Sequence, residues 1–254
     1  MHPGRDLGPI AWAAGLYDAD GSCYAYLPRQ RKTYRRQMAV SQVGDPGKPP
    51  VVLLGLRNVL KGRGNITGPY NGYLFYWKTT RIDVIDAVAA ELWPFLGQEK
   101  RDQFIAAARL AGKAPLDPTA TLTRSGSTEL AWAAGLFDGE GSVSVSGTGT
   151  RPSYPQPSME VPQSGDHGVP GSLVRFREAV ECGTITGPHP PRNRWARLPS
   201  YRWQLGGHLR VETVAAKLWP WLGCVKRSQI EWALSRVHAG IVRGAHRSLA
   251  DREA

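Results

Sequence analysis

The sequence predicts an α+β chain of two pseudo-symmetric αββαββα halves, with antiparallel hairpins forming the sheets and two repeated helices packed together. Three observations predict it. First, Trp12-Ala-Ala-Gly-Leu-Tyr-Asp-Ala-Asp-Gly21 returns 120 positions later as Trp132-Ala-Ala-Gly-Leu-Phe-Asp-Gly-Glu-Gly141. Counted from Ala11 and Ala131, eleven positions differ only at Tyr17/Phe137, Ala19/Gly139 and Asp20/Glu140, a density that marks an internal duplication. Second, later landmarks recur in order: Thr67-Gly-Pro69 with Thr186-Gly-Pro188, Trp77 with Trp203, and Leu92-Trp-Pro94 with Leu218-Trp-Pro220. Third, stretches that alternate with period two come in pairs between stretches of helical period.

Along the first half, Ala11, Ala14 and Gly15 recur at helical spacing, as do Ala131, Ala134 and Gly135. Such small stripes let another backbone approach closely, so the two repeated helices are expected to pack on each other. The first helix runs to Asp20, with Gly21 as a left-handed cap; Glu140 and Gly141 repeat the arrangement. Residues 22–27 alternate, 28–32 form a basic turn, and alternation resumes over 33–42, which reads as a hairpin. A helix over 51–60 ends at Gly62-Arg-Gly64, and a second hairpin pairs 65–69 with 73–79. Thr80 caps a helix to Leu92 with Ile82, Ile85, Val88, Ala89 and Leu92 on one face. Pro94 interrupts it, and residues 99–110 close the half.

Residues 111–127 are rich in Pro, Ser and Thr without periodicity, which marks a linker. The expected organisation is a first half over 1–110, the linker, a second half over 128–240 and a polar tail over 241–254. In the second half helices are expected near 128–140, 170–181, 208–219 and 226–239, and strands near 142–148, 156–163, 183–188 and 200–205. The offset between halves drifts from 120 to 126, which locates an insertion between the last two strands. It contains Arg192, Arg194 and Arg197, a basic loop that suits either reach towards a polyanion or plain solvation.

Asp20 and Glu140 stand at helix C-termini, where the macrodipole disfavours a carboxylate by roughly 0.3–1 kcal/mol. Packing the two helices together would add mutual repulsion. A single acid at a helix end reads as a solvated residue, but acid-then-glycine in both copies favours a shared cation. A hard divalent ion such as Mg²⁺, bound by carboxylate oxygens and water, is the simplest choice. Asp18 and Asp138 precede these acids by two positions, about 200° around a helix, and so read as structural.

Residues 13–21 and 133–141 resemble the two motifs of a monomeric LAGLIDADG homing endonuclease, departing at Ala13 and Tyr17 in the first copy and also at Gly139 and Glu140 in the second. The resemblance implies a site-specific cut of double-stranded DNA, one phosphodiester per strand, at a long asymmetric target with short 3′ overhangs. It implies a metal site of Asp20, Glu140, Gly139 and Ala19, served by Mg²⁺, with Mn²⁺ substituting and Ca²⁺ binding without supporting cleavage. It extends catalytic roles to Gln42 and Gln163 at the ends of second strands, and to Lys100 and Lys226, each three residues before a glutamine. The lysines also suit solvated positions near helix starts, and Pro162 in place of Ser41 loosens the match at Gln163. DNA would lie on the polar strand faces: Tyr24, Tyr26, Arg35, Gln37 and Lys78 in the first half. The second half offers Ser144, Ser146, Gln156, Ser158, Arg202 and Gln204, besides the arginines of the loop. A two-stranded ribbon fits the major groove, where arginine and glutamine suit guanine and adenine edges.

The bulk properties agree. Among 254 residues, 32 Lys and Arg against 21 Asp and Glu leave a net charge of +11, which favours a polyanionic partner, nucleic acid ahead of an acidic membrane. Three separated cysteines argue against a zinc site or disulfide framework and suit a reducing compartment. The six histidines, His2, His167, His189, His208, His238 and His246, show no ligand spacing in sequence. No apolar signal core or stretch near 18 apolar residues occurs, so the expectation is a cytoplasmic protein with no membrane or obligate protein partner, acting as a monomer. Its wealth of Ala, Arg, Gly, Pro and Trp hints at bacterial or phage origin. The rival readings are an RNA maturase or regulator on the same scaffold without cleavage, and a generic basic module indifferent to divalent metal.

Overall fold

A computed structural model describes residues 6–30, 32–114, 125–147, 155–191 and 198–250, with side chains as far as residue 238. The chain divides into two compact units, residues 1–139 and 140–254. In the first, α1 (Gly8–Asp20) starts on Pro9 and is buried on almost every side from Ile10 to Asp18, which explains why its sequence carries no amphipathic stripe. It crosses α5 (Gly126–Glu140) at the small residues. A Cβ on Gly15 would lie 1.9 Å from the Trp132 carbonyl oxygen, and one on Gly135 would lie 1.9 Å from that of Trp12. The stripes therefore do what their spacing predicts: the crossing is backbone on backbone. It also explains why the units part after Gly139 and not within the linker expected over 111–127; residues 115–124 of that stretch lie outside the described ones.

Gly21 departs from expectation. It is extended, with φ −75° and ψ 150°, so it is not a left-handed cap. Glycine is needed there for space: a Cβ would fall 2.4 Å from the Tyr17 carbonyl oxygen and 2.5 Å from the Tyr17 ring. The helix passes straight into β1 (Gly21–Tyr26), which pairs with β2 (Arg35–Val43). After α2 (Val51–Val59), β3 (Asn65–Tyr70) and β4 (Leu74–Thr79) complete an antiparallel sheet of order β1-β2-β4-β3. Helices α3 (Ile82–Leu92) and α4 (Gln98–Leu110) follow. Thr80 does not cap α3: Arg81 is the N-cap, and the Thr79 hydroxyl accepts its N–H at 3.3 Å. The residue one position earlier has the reach because residue 81 is still extended.

Period two separates the sheet into faces. Cys23, Met38, Val40, Phe75 and Trp77 point into a core shared with Leu53, Leu56, Ile85, Val88 and Phe104. Burial pushes the Cys23 thiol up to about 12, so it packs as a protonated apolar group.

The second unit repeats the plan. Strands β5 (Ser142–Ser146), β6 (Gln156–Ser164), β7 (Thr184–His189) and β8 (Ser200–Gly206) form an antiparallel sheet of order β5-β6-β8-β7. Its core gathers Met159, Val161, Phe176, Trp203, Leu205, Val214 and Ile230, from the sheet, α6 (Gly171–Val180), α7 (His208–Leu218) and α8 (Cys224–Ala250). The repeated tryptophans anchor the same loop in each unit, Trp77 donating to the Arg63 carbonyl and Trp203 to the Cys182 carbonyl, each at 2.8 Å. Helix α8 runs past the expected 226–239 into the stretch expected as a polar tail over 241–254, because residues 240–250 hold no proline to stop it. Among the described residues no helix is long and apolar enough to cross a membrane.

Candidate functional site

The last residue of α1 is Asp20, half-buried where the helix turns into β1. The Gln42 amide, near the end of β2, donates to its Oδ2 at 2.6 Å and fixes the carboxylate's orientation. Lys100, on the first turn of α4, donates from Nζ to the Gly21 carbonyl at 2.7 Å. The ammonium thus answers the negative end of the helix dipole beside the acid, which resolves the energetic oddity of a carboxylate there. Across the helix pair, a Cβ on Gly139 would fall 2.8 Å from Asp20 Oδ2 and 2.5 Å from the Ala19 Cβ. Glycine in place of the first copy's alanine keeps that space open.

The second unit carries the matching parts. Glu140 ends α5, half-buried, and Lys226 on the first turn of α8 donates to the Gly141 carbonyl at 2.5 Å. Gln163 stands at the ladder position equivalent to Gln42, opposite Tyr201 as Gln42 is opposite Phe75. Its Nε2 is buried with no hydrogen-bond partner among the described residues. An orphaned buried donor aimed from this position is a group still waiting for an acceptor.

Asp18 and Asp138 are buried and structural, as their angular offset predicts. Trp12 Nε1 donates to Asp138 Oδ2 and Trp132 Nε1 to Asp18 Oδ2, both at 2.7 Å. Asp18 also accepts the Gly97 N–H at 3.0 and 2.8 Å, which ties the start of α4 to α1. The reciprocal indole–carboxylate bonds lock the register of the helix pair. Trp132→Phe should therefore lower the midpoint of urea unfolding by an amount worth roughly 1–3 kcal/mol, since a buried carboxylate loses a donor. An unchanged midpoint would show that the indole bond holds nothing.

The polar sheet faces are assembled as the alternation predicts. Tyr24 stands opposite Gln37, whose amide donates to the tyrosine hydroxyl at 2.8 Å, and Tyr26 stands opposite Arg35. Lys78 lies on the same face, donating to Tyr70 Oη at 3.2 Å, and Tyr70 packs edge-on against Tyr76. The neighbouring Thr67 and Lys78 side chains lower the Tyr70 hydroxyl below its ordinary value. In the second unit Ser144 stands opposite Ser158, Ser146 opposite Gln156, and Gln204 opposite Glu160, with Arg202 next along β8 on that face. Arg192, Arg194 and Arg197 lie outside the described residues. Tyr70, Tyr76 and Glu160 are face residues absent from the sequence-derived set; for Glu160 the signal is the alternation 156, 158, 160.

The donor set fits a hard cation. Among the described residues no three His, Cys, Asp or Glu side chains gather in one place. A hard divalent ion at either acid would complete its sphere with carbonyl and water oxygens. The structure also brings together His208 and His238, 30 residues apart, with Nε2 atoms 3.0 Å from each other. Sequence spacing does not reveal that pair, because it forms across α7 and α8.

No protein-family model matches the chain. No curated protein matches it either. Solved structures do. The LAGLIDADG homing endonuclease I-GzeII in complex with its DNA target is 15% identical, with a TM-score of 0.61 over 93% of this chain and 92% of that one. I-SmaMI bound to uncleaved DNA target in the presence of calcium ions is 13% identical, with a TM-score of 0.57 over 95% and 93%. The I-LtrWI LAGLIDADG homing endonuclease bound to target DNA is 12% identical, with a TM-score of 0.56 over 94% and 96%. What is common to all three and this chain is the fold, the two-domain LAGLIDADG architecture carried on one polypeptide.

Proposed function

On that LAGLIDADG architecture, we propose that the protein is a site-specific double-stranded DNA endonuclease that cuts one phosphodiester per strand and acts as a monomer. The observation that carries the reading is the repeated assembly at the two helix ends. Each motif helix finishes on a carboxylate, each is followed by a carbonyl held by a lysine, and each has a glutamine at the same ladder position. Structural acids would not require all three to recur.

Asp20 and Glu140 are the residues that would hold divalent cations, Mg²⁺ by preference, with the carbonyls of Ala19 and Gly139 beside them. A cation bound there supplies Lewis-acid stabilisation of the phosphate and a water of lowered pKa. Gln42 holds the Asp20 carboxylate in one orientation, and Gln163 offers its free amide at the equivalent place. Lys100 and Lys226 keep an ammonium beside each acid, which offsets the charge of an incoming phosphate. The open sheet faces would read the major groove through Tyr24, Tyr26, Arg35, Gln37 and Lys78 and through the serines, Gln156, Arg202 and Gln204. Short 3′ overhangs and a long asymmetric target belong to the same proposal.

The test is cleavage of a randomised duplex library with Mg²⁺, beside the Asp20→Asn protein. Selective cutting by the wild type alone supports the proposal and delivers the target. Binding without cutting under Mg²⁺ and Mn²⁺ alike would transfer the reading to a maturase or regulator. Affinity should also fall steeply with salt, roughly 10³-fold or more between about 50 and 200 mM, because phosphate contacts release counterions. A flat response in a binding titration would count against a DNA-covering sheet.

A further inference from the structure

The duplication separates scaffold from readout. Buried positions repeat between the units: Met38 with Met159, Val40 with Val161, and Trp77 with Trp203. The open faces mostly do not. In the first sheet the face is bulky, with Tyr24, Tyr26, Tyr76, Arg35, Gln37 and Lys78. In the second it is a lawn of short hydroxyls, with Ser142, Ser144, Ser146, Ser158, Thr184 and Thr186 among its members. Into that lawn, at the centre of the sheet, β6 and β8 place one acid and one base: Glu160 and Arg202, 3.3 Å apart. The equivalent positions of the first sheet are Ala39 and Tyr76, so the pair is no part of the repeated scaffold.

Stability does not account for the pair either. The side chains are 35% and 19% exposed, and ion pairs in that setting contribute little. Arg202 makes this contact through Nη1 alone, while its Nε is buried with no partner among the described residues. On a surface meant for a polyanion, a half-exposed carboxylate is a cost unless something donates to it. In the major groove cytosine offers the N4 amino donor and guanine the O6 and N7 acceptors, and these sit side by side in one base pair. An adjacent acid and base match that pattern, the base on guanine's two acceptors and the acid on cytosine's donor.

We propose that Glu160 and Arg202 together read one G·C base pair, Arg202 donating to guanine and Glu160 accepting from cytosine N4. They are the charged determinant of the second unit, set beside the amides of Gln156 and Gln204, while the short hydroxyls around them reach base edges through water. This inference rests on the DNA-cleaving reading above. The half-site under the second unit should therefore hold one sharply defined G·C position.

The experiment is selection of bound duplexes from a randomised pool with Ca²⁺, for wild type, Glu160→Gln, Glu160→Ala and Arg202→Ala, with thermal unfolding of each. The wild type should show one position with a G·C preference of roughly ten-fold or more. Glu160→Gln should shift that position towards adenine, which an amide reads through N6 and N7, and leave the others unchanged. Glu160→Ala should weaken the preference there without altering the melting temperature, and Arg202→Ala should abolish it. Selective binding with profiles identical in all four proteins overturns the inference alone. Failure of the wild type to select any duplex overturns the DNA reading and the inference with it.

Discussion

Asp20→Asn is expected to abolish double-strand cleavage while leaving duplex binding at or above the wild-type level. The exchange is isosteric, and the remaining amide oxygen can still accept from Gln42, now 2.6 Å from Oδ2, so the local geometry survives. What is lost is the anionic ligand. Lewis-acid stabilisation by a bound cation is worth several kcal/mol, and each 1.36 kcal/mol is tenfold in rate, so the loss should be roughly 10³-fold or more. With no divalent ion present, removing a negative charge beside a polyanion does not weaken attraction, which is why metal-free binding is the internal control. Glu140→Gln should behave alike, because Lys226 and the Gly141 carbonyl reproduce the surroundings of Asp20 in the second unit. The readout is conversion of supercoiled plasmid carrying the selected site, with anisotropy in EDTA for binding. Linear product at the wild-type rate from either variant would remove these acids from the chemistry.

The duplication makes the site legible without any geometry. Because Asp20, Gln42 and Lys100 have counterparts at Glu140, Gln163 and Lys226, their convergence at two helix ends is visible as repetition. Alternation likewise assigns Tyr24, Gln37 and Ser158 to open faces, since period two leaves no choice of side. Other features are hidden for identifiable reasons. Gly21 is required by the Tyr17 ring and not by a positive φ, and one letter serves both needs. The partners of Asp18 and Asp138 lie 114 and 126 positions away, a relation that periodicity cannot encode. Glu160 is easily missed because an acid contradicts the expected charge of a DNA face, although the alternation that selects Gln156 and Ser158 includes it. The orphaned Gln163 amide is a property of packing alone.

Gly15→Ala and Gly135→Ala are expected to cause the largest loss of stability of any single methyl added to this chain, while Gly55→Ala is expected to stabilise it. All three residues lie within helices, so the change in helix propensity is the same, about 0.5–1 kcal/mol in favour of alanine. The surroundings decide the sign. At Gly55 the new Cβ would lie 3.5 Å from the Trp12 ring, an ordinary contact. At Gly15 it would meet the Trp132 carbonyl oxygen at 1.9 Å and the Leu136 nitrogen at 2.9 Å, all backbone, and Gly135 is the mirror case. Backbone in a buried helix cannot rotate away as a side chain does, so α1 and α5 would have to move apart by roughly an ångström or more, on the scale of an ordinary carbon–carbon contact. Overpacking alone costs about 1–3 kcal/mol, and this displacement would also stretch both indole–carboxylate bonds, each 2.7 Å long. Since Asp20 ends α1, the same movement would shift the carboxylate away from Gly139, so any Gly15→Ala protein that still folds should bind DNA yet cut it poorly. Urea unfolding of the three variants, with plasmid cleavage for those that fold, separates the effects. A Gly15→Ala protein as stable and as active as the wild type would show that the two motif helices do not cross at their glycines.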